Sequence, residues 1–384
     1  MTFDSYTLGE VCSFIDYRGK TPKKATTGIP LITAKIVKNG FISKPDEFIA
    51  EEDYDSWMHR GIPRKGSVIM TTEAPLGEVA RIPSDDRLAF AQRIIVLEPR
   101  QEILDAGFLY YALRDSVLMG RIKSRATGTT VTGIKAAALK KVEIDCPPIE
   151  TQKRVASLLS SLDQRIENNE SINDNLLQQA MAIFNERYDS AEERCPFTSL
   201  IHVLGGGTPK TGNPEFWNGD IPFFTPKDVG NPYTFQTEKM ITSTGLEHCN
   251  SRLYPKNTSF VTARGTVGKV SLAGKPMAMN QSCYALSSDS IDPILVYFYT
   301  LRAVESLKHK ASGAVFDAIV TRDFETEIVP VIPADESKAI LALIAPMMEA
   351  IHTHSEESIR LAALRDALLP QLMSGEIDVS SITL

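Results

Sequence analysis

The chain has 384 residues, 43% hydrophobic and 23% charged, a composition typical of a soluble protein with two or three domains. Its longest apolar runs, at 294–301 and 339–348, are too short to span a membrane, and its N-terminus lacks a signal-peptide pattern, so we expect a cytoplasmic protein. The five cysteines stand singly, which excludes a disulfide framework and a zinc site. The net charge of −7 argues against a protein that simply coats DNA.

Residues 1–146 are predicted to form a mixed α+β module. Short β-branched runs such as IPLIT, SVIMTT and RIIVL are separated by Gly, Pro and Asn, and a helical segment follows at 108–122. The module holds 21 Lys+Arg against 19 Asp+Glu, so local basic faces are compatible with it. Its acidic run at 46–52 is interpreted as a solvated surface.

A long helix is predicted after Pro147-Pro148, running to about Tyr188. It is acidic, with 4 Lys+Arg against 7 Asp+Glu in residues 147–190. Its heptad pattern places two rows of residues on one seam: Val155, Leu162, Asn169, Leu176 and Ile183 in one row, and Leu159, Ile166, Asn173, Ala180 and Arg187 in the other.

The rest of the chain repeats this order at an offset of 185 to 192 residues. GIPLITAKIVKNG at 28–40 matches DIPFFTPKDVGNP at 220–232, and KGSVIMTTEAPLGEV at 65–79 matches KNTSFVTARGTVGKV at 256–270. A second module at 191–332 and a second helix at 333–384 follow, and this helix segment holds 3 Lys+Arg against 8 Asp+Glu. The sequence therefore contains two copies of a module followed by a long helix.

Both long helices are apolar towards their ends and polar in the middle, at Asn169 and Asn173 in the first and at His354 and Ser358 in the second. If the helices pack antiparallel, these polar layers meet, and a slip by one heptad would bury Asn against Leu. We therefore expect the four residues to fix the register of an antiparallel coiled coil. The alternative is that each helix packs on its own domain and turns its polar residues to solvent.

These features together resemble the specificity subunit of type I restriction-modification systems. The residues that carry the resemblance are GGGTPKTGNPEFWNGDIPFFTPKDV at 205–229, TARGTVGKV at 262–270, Asn280-Gln281, PPIETQKRVASLLSSLDQRIE at 147–167 and LLPQLMSGEI at 368–377. The first copy departs from this pattern, since RGKTP replaces GGGTP and Glu73 stands where the second copy has Arg264.

The resemblance implies a chain with two target-recognition domains, each of which recognises one half of a bipartite, asymmetric DNA site. The domains would be residues 1–146 and 191–332, and the helices at 147–190 and 333–384, the latter with a C-terminal tail, would set the spacer between the half-sites. Antiparallel pairing of the two helices would also relate the repeated modules by a pseudo-two-fold axis. The resemblance further implies two partner methyltransferase subunits that carry S-adenosylmethionine and methylate adenine, with motor-nuclease subunits as optional further partners. This chain itself would need no cofactor.

Base-edge recognition uses Arg, Lys, Asn and Gln on loops and strand ends, while Lys, Ser and Thr contact phosphates. Two clusters in each module fit this chemistry: the duplicated turn with its Thr-x-Lys step, and the later turn with the shared glutamine. The candidates in the first module are Arg18, Lys20, Thr21, Lys23, Lys24, Thr33, Lys35, Gln92 and Arg93. The candidates in the second module are Thr208, Lys210, Thr211, Thr225, Lys227, Arg264, Lys269, Asn280 and Gln281. For each residue taken alone, an exposed lysine or a glutamine that stabilises a turn is the competing interpretation.

We find no catalytic motif in the sequence. Asn231-Pro232-Tyr233 lacks the second proline of an amino-methyltransferase turn, and Pro209 replaces the glycine that a P-loop requires before Lys210. We therefore predict a non-catalytic DNA-recognition subunit. Two alternatives stay open: a stand-alone DNA-modifying enzyme with an unrecognised active site, and a coiled-coil scaffold whose modules do not bind DNA.

Overall fold

The computed structural model describes residues 3–17, 21–128, 131–310 and 318–379. The chain folds into two compact units: unit 1 comprises Met1–Ile166 and Arg360–Leu384, and unit 2 comprises Glu167–Ile359. Each unit therefore combines one mixed module with parts of both long helices. Within the described ranges, no helix is both long and apolar enough to cross a membrane.

Unit 1 contains eleven strands among its described residues, most of them short. The strands are β1 (Asp4–Thr7), β2 (Cys12–Asp16), β3 (Ile29–Ile32), β4 (Val37–Lys38), β5 (Phe41–Ile42), β6 (Phe48–Ile49), β7 (Val68–Thr72), β8 (Leu76–Arg81), β9 (Ala89–Phe90), β10 (Ile94–Pro99) and β11 (Glu143–Cys146). The helices are α1 (Leu8–Val11), α2 (Tyr54–Trp57), α3 (Ala106–Arg114), α4 (Ser116–Ser124), α5 (Ala136–Leu139) and the first long helix α6 (Ile149–Ser190), with 3-10 turns at Ala34–Ile36 and Glu51–Asp53. Unit 1 holds the part of α6 up to Ile166.

Two sheets and two strand pairs organise unit 1. One sheet is antiparallel in the order β2-β10-β7-β8, and the other has the order β6-β3-β9, in which β3 and β9 run parallel. Strand β1 pairs with β11, and β4 pairs with β5. Every residue of β7 is buried, because its side chains alternate between two cores: Val68 and Met70 lie in one, and Ile69 lies in the other.

The helical segment predicted at 108–122 is two helices rather than one. Asp115, which is 4% exposed, separates α3 from α4, and its carboxylate accepts a hydrogen bond from the Val117 N–H at 2.9 Å. This aspartate is an N-cap, and a cap residue has non-helical backbone angles, so the chain bends there. Helix α3 packs Phe108 and Leu109 into the same core as Met70 of the sheet.

Unit 2 contains ten strands among its described residues. They are β12 (Arg194–Pro196), β13 (His202–Gly205), β14 (Trp217–Phe224), β15 (Tyr233–Thr234), β16 (Lys239–Ile241), β17 (Ser259–Thr262), β18 (Val270–Ala273), β19 (Ala278–Met279), β20 (Cys283–Ser287) and β21 (Ile328–Pro330). The helices are α7 (Phe197–Leu200), α8 (Ser243–Glu247), α9 (Pro293–Lys310), α10 (Thr321–Thr326) and the second long helix α11 (Ala334–Ser374), with a 3-10 turn at Pro214–Phe216. Unit 2 holds the part of α11 up to Ile359.

The sheets of unit 2 repeat those of unit 1 with one additional strand, β15. The larger sheet has the order β13-β20-β17-β18-β15, and the smaller one, β16-β14-β19, again joins a parallel and an antiparallel pair. Strands β12 and β21 pair as β1 and β11 do. The internal repeat predicted from the sequence is confirmed, because β13-β20-β17-β18 repeats the order β2-β10-β7-β8 and β16-β14-β19 repeats the order β6-β3-β9. Among the described residues, β15 is the strand that the larger sheet of unit 2 has in addition, and it pairs parallel with β18.

The two long helices pair antiparallel, as predicted. In unit 2, the Asn169 amide of α6 donates to the Ser358 hydroxyl at 3.3 Å, and the Asn173 amide donates to the Ser355 hydroxyl at 3.3 Å. Residue numbers therefore rise along α6 while they fall along α11. In unit 1, Arg365 of α11 donates to Asp163 of α6 at 2.6 Å.

One position of the predicted seam is wrong. Arg187 is exposed, and Phe184 and Tyr188 are buried in its place. A straight α-helix drifts by about 20° per heptad from an ideal 3.5-residue repeat, so the buried face rotates along the helix. The Phe184 ring lies 5.4 Å from that of Phe298 and 5.2 Å from that of Tyr299, so helix α9 of the module determines the buried face here.

Candidate nucleic-acid interface

The glycine-bearing turn of unit 2 lies against the segment that carries the shared glutamine. The Gly207 N–H donates to the Met279 carbonyl oxygen at 3.2 Å. A side chain at Gly206 would clash with the backbone carbonyl of Asn280, so the close approach of these two chain segments requires glycine. The GGGTP motif is thus explained by packing.

The Thr-x-Lys step at 225–227 lies next to the later turn and to the segment with the shared glutamine. The Asn280 N–H donates to the Phe224 carbonyl at 3.0 Å, at the end of the parallel pair β14–β19, which sets Thr225 next to Asn280. The Thr266 hydroxyl donates to the Pro226 carbonyl at 3.1 Å. Both clusters predicted in the second module therefore meet. We call them together the unit 2 edge: residues 205–211, 225–227, 264–269 and 280–281.

Unit 1 brings its candidate segments together in the same way. The Ala91 N–H donates to the Ile32 carbonyl at 2.9 Å, which sets the Thr33 step beside the strand with the shared glutamine. We call the corresponding group the unit 1 edge: residues 21–24, 33–35, 73 and 92–93. Arg18 and Lys20 were also predicted here, and both lie outside the described residues.

One hydrogen bond is identical in the two edges. The Thr21 hydroxyl donates to Gln92 Oε1 at 2.9 Å, and the Thr208 hydroxyl donates to Gln281 Oε1. Each glutamine thereby connects the duplicated turn of its module to the segment that carries the glutamine. Because the amide oxygen accepts the threonine proton, the amide nitrogen is the group that remains as a donor.

Several candidates of the unit 2 edge also have local partners. The Thr225 hydroxyl donates to the Asp228 carboxylate at 2.6 Å, and Lys227 lies 3.6 Å from the Glu238 carboxylate. The Asn280 side-chain oxygen accepts from a backbone N–H two residues further on, at 3.0 Å. Thr225 and Asn280 thus stabilise turns. The exposed candidates of this edge are Lys210, Thr211, Lys227, Arg264, Lys269 and Gln281.

A further cation, which sequence reasoning missed, lies behind this edge. Lys308 of α9 donates to the Gly268 carbonyl at 2.5 Å. Burial, together with the nearby Lys269, lowers the pKa of Lys308. Its position beside the glycine turn follows from tertiary packing, so the local sequence gave no signal for it.

Two lysines of the unit 1 edge converge on one carboxylate. Glu47 lies 2.8 Å from the ammonium groups of both Lys24 and Lys35, and Lys35 also contacts Asp46 at 3.0 Å. The hydrogen bond from Lys24, followed by that from Lys35, lowers the pKa of Glu47. The acidic run was interpreted as a solvated surface, but Glu47 instead holds these two lysines in place.

The other charged pair of unit 1 joins its second cluster. Arg93 Nε lies 3.0 Å from the Glu73 carboxylate, with both side chains nearly half exposed. Glu73 lines a hollow of about 320 Å³ together with Gln92, Thr127 and Lys135. Sequence reasoning missed Lys135, although the Gly- and Thr-rich stretch before it is a repeated segment.

Lys23 and Thr33 occupy different environments. Lys23 is exposed and lines a groove of about 530 Å³ together with Trp57 and His59. The Thr33 hydroxyl is buried and has no hydrogen-bond partner among the described residues, so it lies beneath the edge. The role of each candidate in DNA binding stays a prediction.

Both edges are rich in hydrogen-bond donors, namely guanidinium, ammonium and amide groups. Such groups match phosphate oxygens and the acceptors on base edges. Within the described ranges, no group of three or more His, Cys, Asp or Glu side chains is arranged to hold a metal ion. Burial raises the pKa of the Cys12, Cys146 and Cys283 thiols to about 12, so none of these three is an activated nucleophile.

Comparison with known proteins places these features in one family. The family model described as the type I restriction modification DNA specificity domain matches residues 2–178 and again residues 196–361. The specificity subunit of the type I restriction enzyme MjaIX from Methanocaldococcus jannaschii is 23% identical, with 92% of this chain and 88% of that protein covered. The HindI specificity subunit of Haemophilus influenzae is 22% identical, with 82% of this chain and 87% of that protein covered.

A solved structure agrees at the level of the fold. The type I restriction-modification S subunit from M. genitalium superposes with a TM-score of 0.59 at 16% identity, covering 97% of this chain and 96% of the other. The family model accounts for most of the chain and for both copies of the repeat. The chain therefore belongs to the family of type I restriction-modification specificity subunits.

Proposed function

We propose that this chain is the DNA-recognition subunit of a type I restriction-modification complex. One observation supports this most strongly: both units build the same donor-rich edge around the same threonine–glutamine bond. The edges differ in the charged residues beside that bond, Glu73 and Arg93 in one and Arg264 in the other. A shared backbone framework that carries different charged side chains is what we expect of a protein that recognises two different half-sites.

In this proposal, residues 1–146 and 191–332 are the two target-recognition domains, and the long helices set the spacer. Helix α6 has 42 residues, and an α-helix of that length measures about 63 Å. The exposed lysines of the edges contact phosphates and position the protein, while the arginines and glutamines contact base edges. The chain itself has no catalytic role.

Catalysis in this proposal belongs to partner subunits. Two methyltransferase subunits bring S-adenosylmethionine and methylate adenine, and motor-nuclease subunits join for cleavage. The chain as a whole carries more Asp+Glu than Lys+Arg, 48 against 41, so it binds DNA weakly alone and depends on its partners to enclose the duplex.

The test uses the full chain with and without a methyltransferase subunit from a neighbouring gene. The complex should methylate duplex DNA at a bipartite motif, and the chain alone should neither methylate nor cleave. Methyl transfer or cleavage by the purified chain alone would favour the stand-alone enzyme. A complex that forms but binds no DNA would favour the scaffold.

A further inference from the structure

The two edges can be matched atom by atom at the strand ends. In unit 1, the Thr72 N–H donates to the Arg93 carbonyl at 2.8 Å. In unit 2, the Ala263 N–H donates to the Ser282 carbonyl, also at 2.8 Å. These bonds close the equivalent strand pairs β7–β10 and β17–β20. Arg93 and Ser282 therefore occupy the same position in their respective units.

The residues that follow Thr72 in unit 1 and Ala263 in unit 2 are equivalent as well. Glu73 forms an antiparallel bridge with Gly133, and Arg264 forms one with Ala318. The adjoining bonds agree: the Ile134 N–H donates to the Thr72 carbonyl and the Ile319 N–H to the Ala263 carbonyl, both at 3.0 Å. Glu73 and Arg264 are thus equivalent by backbone geometry and not only by alignment.

The two units place their charged residues differently on the ends of these two strands. Unit 1 carries Glu73 on the first strand end and Arg93 on the second, whereas unit 2 carries Arg264 on the first and Ser282 on the second. Both units consequently place a guanidinium beside the shared glutamine, but from opposite strands of the pair. In unit 1, the acidic residue at the position of Arg264 contacts Arg93 at 3.0 Å.

The geometry of the ion pair leaves a recognition face on the arginine. Glu73 contacts Arg93 through Nε. The outer N–H bonds of the two terminal NH2 groups form a separate donor edge of the planar guanidinium. The neighbouring Gln92 accepts from Thr21 with its oxygen and keeps its amide nitrogen as a donor. The edge therefore offers a set of donors, and guanine presents two acceptors, N7 and O6, in the major groove.

We propose that Arg93, positioned by Glu73, contacts a guanine in the first half-site as Arg264 does in the second. This inference rests on the proposed function, namely that the chain recognises DNA. Each half-site then contains a guanine at the base that faces this edge. Arg93 is the residue that contacts the base, and Glu73 acts through it as a positioning residue.

The experiment uses the full chain with its methyltransferase subunits and a pool of randomised duplexes, whose bound fraction is sequenced. Arg93→Ala should abolish the guanine preference at one position of one half-site, and Arg264→Ala should do so in the other half-site. Losing one bidentate contact lowers the affinity for the guanine-containing site by roughly 5- to 160-fold. The other positions of the motif should be unchanged.

Two further variants separate recognition from folding. Arg87→Ala removes an exposed guanidinium of the same unit that pairs with Glu51 at 3.2 Å, and it should leave the motif intact. The exchange Glu73→Arg with Arg93→Ser installs the unit 2 arrangement in unit 1, and it should retain a guanine in the first half-site. All variants should melt near the temperature of the wild-type protein, because the side chains of Glu73, Arg87 and Arg93 are about half exposed and Arg264 is exposed.

The outcomes are distinguishable from a failure of the proposed function. If the wild-type complex enriches no motif, the chain does not recognise DNA and the proposed function falls. If it enriches a bipartite motif that Arg93→Ala leaves unchanged, or if the position that changes is not a guanine, the proposed function stands and this inference is overturned.

Discussion

The buried ion pair between the two long helices gives a stability prediction of definite size. Asp163 accepts hydrogen bonds from Arg365 at 2.6 Å, Tyr111 at 2.7 Å and Arg114 at 3.2 Å. The side chains of Asp163 and Arg365 are only 8% and 10% exposed. Arg365→Ala removes the shortest of the three contacts and leaves the carboxylate buried. We predict that this variant loses stability in unit 1.

The expected loss follows from the remaining contacts. Removing one partner of a buried ion pair costs about 3–5 kcal/mol, because the other charge stays desolvated. Asp163 retains Arg114 and Tyr111, so we expect the lower end of that range, about 3 kcal/mol. Burial, followed by the Asp163 carboxylate, raises the pKa of the Tyr111 hydroxyl, which therefore remains protonated and continues to donate.

Urea unfolding can follow unit 1 alone, because the chain has two tryptophans and each unit holds one. In a Trp217→Phe background, the fluorescence of Trp57 reports unit 1. The matched control is Arg121→Ala, which breaks a pair with Asp145 whose side chains are 37% and 43% exposed. Such an exposed pair contributes less than about 1 kcal/mol. A loss for Arg365→Ala no larger than that of the control would refute the reasoning.

The buried asparagine of the helix pair, the Thr21–Gln92 hydrogen bond and the cysteines give three further predictions. Asn169 is fully buried, and its amide donates to Glu357 at 2.7 Å. Asn169→Leu should therefore keep the helical content but alter amide hydrogen exchange in the helix pair. Unchanged exchange would contradict the proposal that Asn169 fixes the helix register. Thr21→Val removes the bond to Gln92 and should weaken one half-site in a binding assay, whereas equal weakening of both half-sites would contradict a local effect. Thiol reagents at pH 8 should label the half-buried cysteines first, and fast labelling of the buried ones would contradict the core packing. The half-buried ones are Cys195 and Cys249, and the buried ones are Cys12, Cys146 and Cys283.

The order of elements was predictable because the chain repeats it. Each copy shows the same strand runs and a proline-led helix, and strands of this kind must pair in the same order if they bury the same faces. The polar middle of the helices was visible as a break in the apolar heptads. In unit 2, the structure places Asn169 and Asn173 against α11 at that break.

What escaped prediction depends on contacts between distant residues. The Arg93–Glu73 pair needs the register of β7 against β10, which no local pattern specifies. Arg187 was assigned to the seam because heptads alone cannot show that α9 covers the end of α6 and buries Phe184 instead. Glu47 was interpreted as solvated because its two lysines are brought to it by the fold.

The central claim is that one chain carries two different DNA-recognition edges. The most direct measurement is methylome sequencing of cells that express the chain with the proposed methyltransferase subunits. We expect one motif made of two unlike half-sites with a fixed spacer, and Arg264→Ala should alter only one of them. A continuous motif, or a motif in which both half-sites change in that variant, would contradict it.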